Sequence, residues 1–108
     1  MSEQSPDTPV LDLLTTMTAA SLEATTFDAN TTILVRIAAL VAVDAPPASY
    51  VMNLGTAAEL GIGEDEVRAV LAAIAPIVGT TKVVSATGNI LRALGFILDL
   101  GEIEAAEG

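Results

Sequence analysis

The sequence predicts an all-α fold, a single compact domain of about five helices that assembles into an oligomer. Three observations carry this. Apolar residues recur at three- and four-residue spacing along most of the chain, as helices with a buried stripe require. Most prolines and several glycines (Pro9, Pro46, Pro47, Gly61, Gly63, Gly79, Gly101) fall between these runs, so they read as helix starts and stops. Finally, 52% of the 108 residues are apolar and only 17% are charged, a heavy apolar load for so small a surface. A lone chain of this size buries roughly two thirds of what it exposes unfolded. Either some helices are buried all round or subunits bury them against each other.

Taken in order, residues 1–8 form a polar lead-in, expected to be disordered. Thr8 can cap a helix and Pro9 suits its first turn. Val10, Leu11, Leu13, Leu14 and Met17 then place a first helix near 9–24. Asp28 or Asn30 can cap a second helix, through about Val43. Its run from Ile33 to Val43 is apolar on nearly every face. β-Branched residues admit a strand there, but length, alanines and neighbouring helices favour a helix. Asp44-Ala45-Pro46-Pro47 breaks the run, and Pro47 can open a third helix, to about Leu60. Gly61 offers a left-handed residue to end it.

Glu64-Asp65-Glu66 next puts three carboxylates at the positive end of a fourth helix, carrying Val67, Val70, Leu71, Ile74 and Ile77, with Pro76 in its last turn. Gly79-Thr80-Thr81 reads as a turn and cap. A fifth helix is expected from about Lys82 to Leu100, interrupted by Gly88 and Gly95 and stopped by Gly101, with 102–108 a frayed acidic tail. The domain proper is thus 9–101.

Composition excludes several functions. The net charge is −10, and Arg36, Arg68, Lys82 and Arg92 are the only cations. Nucleic acids and acidic membrane surfaces need basic patches and are poor partners. There is no Cys and no His. Disulfides, Cys-ligated zinc and thiol nucleophiles are therefore excluded, and the commonest general base and metal ligand is missing. No cofactor is expected. The N-terminus has neither a basic region nor an apolar signal core, and no apolar stretch reaches the ~20 residues of a spanning helix. A cytoplasmic location follows as the default.

The segment Asn53–Gly79 resembles the carboxymuconolactone decarboxylase and alkylhydroperoxidase D-like family. Ala57, Gly61, Gly63, Asp65-Glu66, Val67, Val70-Leu71 and Gly79 stand at the spacings of that family's signature, and the resemblance extends over residues 28–100. It implies an alkylhydroperoxidase D-like helical subunit in a trimer or hexamer. The departures are as informative. The redox branch carries Cys-x-x-Cys and a His four residues after the second Cys. Those slots hold Pro46, Ser49 and Asn53 here, and the slot of the accompanying Glu falls near Leu34. Without a thiolate there is no attack on peroxide and no resolving disulfide. Thiol peroxidase activity is ruled out.

Four residues are candidates for ligand binding. Arg36 lies within the apolar run, where a guanidinium must find a carboxylate, carbonyls or water. It reads either as a clamp for a small carboxylate or as a structural ion pair, within the chain or across a subunit interface. Tyr50 and Asn53 lie one turn apart on the third helix, on one face, and can hydrogen-bond a substrate oxygen or simply be packed. Ser49 is a nucleophile only with a base beside it, and Lys82 is the one lysine. Successive residues Glu64, Asp65 and Glu66 diverge around a helix and form no metal cluster. Asn30-Thr31-Thr32 matches a glycosylation acceptor that an untargeted chain does not present. The acidic, alanine-rich helices are also similar to an acyl carrier protein, but no Asp-Ser-Leu-like attachment site is present. Two functions remain: a non-redox binding or scaffold domain for small carboxylates, and an enzyme of the decarboxylase or lactone type acting on a small organic acid.

Overall fold

The computed structural model describes residues 8–107, with side-chain environments to Leu98. Five helices follow in order: α1 (Thr8–Ala24), α2 (Ala29–Ala42), α3 (Pro47–Glu59), α4 (Glu64–Val78) and α5 (Thr80–Glu107). No strand occurs among the described residues. The lead-in before Thr8 lies outside them.

Local chemistry accounts for the boundaries. Asp28 is the α2 cap, its carboxylate accepting the Thr31 N–H at 2.7 Å. The α2 C-terminus closes in a Schellman turn: Asp44 N–H donates to the Val41 carbonyl and Ala45 N–H to that of Leu40. Asp44 itself adopts a left-handed φ of 55°, which a short polar side chain tolerates better than a bulky one. The same pair of bonds ends α3, from Gly61 to Ala58 and from Ile62 to Ala57, with Gly61 at φ 80°. At the start of α4, Gly63 has no side chain to cap with. Glu66 compensates by accepting the Gly63 N–H at 2.8 Å, one half of a capping box. Glu64 and Asp65 turn to Arg68, at 2.8 and 3.7 Å.

One boundary differs from the sequence expectation. Gly101 does not stop α5, which continues through it to Glu107, so the tail after residue 101 is helical. A glycine inside a helix costs only about 1 kcal/mol, and good helix formers (Leu, Glu, Ala) surround it. Its left-handed option is used only where a turn calls for it. The helix also begins at Thr80 rather than Lys82, because Gly79 alone, at φ 92°, makes the turn from α4.

The core belongs to α2–α5. Ile33, Ile37 and Val41, four residues apart, form the buried stripe of α2; Tyr50, Leu54 and Ala57 supply that of α3, and Ala86, Ile90 and Ala93 that of α5. The small residues on α5 let it lie close to α3. The outer face of the α2 run stays open at Val35, Ala39 and Val43. α1 contributes no buried residue and stands at the periphery.

Asp28 also sets a pH dependence. Hydrogen bonds from Thr31, its side chain first and its backbone N–H second, hold the Asp28 carboxyl below the ordinary 3.8. A lowered folded-state pKa stabilises the protein above the unfolded value, and that contribution fades as pH falls through the folded value. Asp28→Ala is therefore expected to melt below wild type at neutral pH, with the gap closing in melts taken below pH 3.8. A gap that stays constant with pH would mean that the carboxylate does not cap α2.

Candidate functional site

The α2–α3 corner is stitched to α5 by side chains at helical spacing. Lys82 Nζ donates to the Ala42 carbonyl at 2.9 Å, bringing a cation to the negative end of α2. One turn on, Ser85 Oγ donates to Asp44 Oδ1 at 2.7 Å. Asn89 Nδ2 donates to the Ala45 carbonyl at 3.1 Å, and Asn89 Oδ1 accepts from Arg92 Nη1 at 3.1 Å. Residues 82, 85, 89 and 92 thus share one face of α5, and the last bond orients the Arg92 guanidinium. Gly88 lies beneath it: a Cβ there would stand 3.5 Å from Arg92 Nη1.

Beside this guanidinium an apolar cleft of about 470 Å³ opens between α3 and α5, lined by Pro47, Ala48 and Val51 on one side and Arg92, Ala93 and Phe96 on the other. The first turn of α3 borders it and brings the positive end of the helix dipole, although Pro46 and Pro47 have no N–H and the Ser49 N–H already donates to the Pro46 carbonyl. Arg92 is its one charged wall. Among the described residues its hydrogen-bond partner is the neutral Asn89 rather than a carboxylate, so the positive charge is not cancelled. Arg68, beside a second groove between α3, α4 and α5, differs: Glu64 and Asp65 neutralise it. The first cleft suits a small anion with an apolar body. Comparison with protein-family models, with curated proteins and with solved structures gives no match.

None of the four residues singled out from the sequence lines this cleft. Arg36 is half-buried and reaches outward to α1, where Nη2 donates to Ser21 Oγ at 3.0 Å. Ser49 is exposed near the start of α3, and Asn53 is half-buried further along it. Tyr50 lies fully in the core, and its hydroxyl has no hydrogen-bond partner among the described residues. Burial first, and the Asp44 charge second, push the Tyr50 phenol above its ordinary 10.0. It stays protonated at neutral pH and is a poor base. The sequence reading missed Arg92 and Asn89. Their one signal was the continuation of Lys82 and Ser85 along a single helical face.

An unpaired buried hydroxyl costs on the order of 1–3 kcal/mol. Tyr50→Phe deletes that hydroxyl and leaves the ring in place. It is expected to hold or raise stability, by up to about 1 kcal/mol, in a thermal melt. A clear loss of stability would reveal a partner for the hydroxyl and return Tyr50 to the list of ligand-binding residues.

Proposed function

We propose that this chain is a non-redox member of the carboxymuconolactone decarboxylase-like family, an oligomeric domain that binds a small carboxylate in the cleft between α3 and α5. The observation that carries the reading is Arg92, a guanidinium held by Asn89 at the edge of an apolar cleft and not neutralised by any described carboxylate. Arginine offers a carboxylate two parallel charge-assisted hydrogen bonds, the start of α3 adds favourable potential, and the walls receive the apolar part of the ligand. The resemblance supports the location. The slots for the family's two cysteines, Pro46 and Ser49, flank Pro47 and Ala48 at the edge of the same cleft.

Binding is favoured over turnover. A decarboxylase or lactone-type enzyme needs a group that gives or takes a proton near neutral pH. The cleft's one charged wall is an arginine, and its other lining residues carry no acid or base. Calorimetric titration with a series of small mono- and dicarboxylic acids, each beside its amide, tests the proposal. The acids should bind, the amides should not, and added salt should weaken binding. Equal binding of acid and amide, or none of either, would overturn it. Release of carbon dioxide or ring opening of a lactone acid by the purified protein would favour the enzyme instead.

A further inference from the structure

We propose that the cleft between α3 and α5 selects monocarboxylates with a plain hydrocarbon body and discriminates against dicarboxylates and hydroxy acids. This selectivity rests on the reading of the cleft as a carboxylate site. Of its six lining residues, Arg92 is the one with a polar side-chain atom; Pro47, Ala48, Val51, Ala93 and Phe96 have none. The rim adds little. Pro46 and Pro47 have no N–H, the Ser49 N–H donates to the Pro46 carbonyl, and the Ala45 carbonyl accepts from Asn89. A ligand therefore finds a partner for one carboxylate. A second carboxylate, or a hydroxyl between these walls, gives up water for hydrocarbon and gains no partner. The other three cations are held elsewhere. Lys82 lies about 15 Å back along α5, and its Nζ donates to the Ala42 carbonyl. Arg68 meets Glu64 and Asp65, and Arg36 reaches Ser21 on α1. The chain's net charge of −10 repels each further negative charge on a ligand.

The same walls set where the body lies. Arg92 and Phe96 share one face of α5 and stand one turn apart, about 6 Å along the axis. Phe96 is 55% exposed, so much of its ring is open to cover by hydrocarbon. Facing them, Pro47, Ala48 and Val51 lie along one face of α3. Ala93, fully buried, is the floor, and its single methyl group leaves the cleft its depth. A carboxylate paired with Arg92 thus sends its body along α5 to Phe96. A short acyl chain, or a phenyl ring on one linking carbon, fills that reach. The cleft's volume of about 470 Å³ is far more than formate or acetate occupies, so the apolar body must displace most of its water. The Arg92 guanidinium is exposed, and an ion pair in contact with solvent contributes little by itself. The hydrocarbon therefore supplies most of the gain, and the charge supplies the orientation.

Calorimetric titration with hexanoate, 3-hydroxyhexanoate and adipate tests the selectivity, because the three share one chain length and differ by a hydroxyl or a second carboxylate. Each is titrated at equal ionic strength into wild type, Arg92→Met and Ala48→Lys. Ala48 is exposed at the rim, so the lysine adds a second cation opposite Arg92 without disturbing the core. Hexanoate is expected to bind wild type about tenfold more tightly than either analogue, the factor that one unpaired polar group costs. Arg92→Met should lose hexanoate, and Ala48→Lys should raise adipate affinity relative to hexanoate. Adipate or 3-hydroxyhexanoate binding as tightly as hexanoate, and still through Arg92, would overturn the selectivity and leave the carboxylate site standing. An unchanged adipate-to-hexanoate ratio in Ala48→Lys would overturn its origin in a single cation. Absence of binding by all three acids, or binding indifferent to Arg92→Met, would overturn the site and the selectivity together.

Discussion

Truncation of Ile37 to alanine is expected to lower the melting temperature by on the order of 10–20 °C. Ile37 is fully buried at the middle of the α2 stripe, and α2 packs on α3, α4 and α5. The deleted atoms leave a cavity that all of these helices would have to collapse to fill. Changes of this kind cost about 2–5 kcal/mol, against about 5–15 kcal/mol for a whole domain, and each kcal/mol moves the midpoint of a domain this size by several degrees. Val35 is the internal control: it stands two residues away on the same helix but is 49% exposed, and Val35→Ala should shift stability by less than about 1 kcal/mol. Thermal melts of the three proteins decide the matter. Equal shifts for the two variants would mean that the Ile33–Ile37–Val41 stripe does not face the core.

Replacement of Arg92 by methionine is expected to weaken the binding of small carboxylates at least tenfold while leaving the unliganded protein's melting temperature near that of wild type. Methionine retains most of the apolar stem and removes the charge. Hydrogen bonds to charged groups contribute about 1.5–3 kcal/mol each, and 1.4 kcal/mol is a factor of ten in affinity. Arg92 is exposed, so its loss opens no cavity. Asn89→Ala should weaken binding less, because the guanidinium persists without its guide, but should cost stability by leaving the Ala45 carbonyl unpaired. Titration of each variant with the best-binding acid measures both effects. Unchanged affinity in Arg92→Met would remove the α3–α5 cleft as the site. If Arg36→Met abolished binding instead, the clamp would lie on α2.

The helices were legible because their signals are local. Apolar spacing near 3.6 residues, Asp28 before α2, Pro47 at the start of α3, Gly61 after it and the acidic start of α4 each act within a few residues of the boundary they set. Gly101 misled because glycine permits a turn without imposing one, and its neighbours favour continued helix. The partner of Arg36 was not legible. Its apolar neighbours say only that the guanidinium must find a carboxylate, carbonyls or water; the α2 run has an open side, and from its margin the long side chain reaches the Ser21 hydroxyl.

By itself, the sequence determined the helical class, the absence of any thiolate or imidazole, and a heavy apolar load. These follow from composition and from patterns a few residues long. Only the tertiary structure decided which guanidiniums meet a carboxylate and which apolar surfaces stay uncovered. Arg68 and Arg92 are equivalent as letters, yet one meets two carboxylates a turn away and the other a neutral amide that α5 holds against the Ala45 carbonyl. That distinction depends on the register of α5 on the α2–α3 corner, a contact between residues more than forty positions apart, which no local pattern encodes. The exposure of α1 is of the same kind: its apolar residues recur at helical spacing, but only the packing of α2–α5 decides that they stay outside the core.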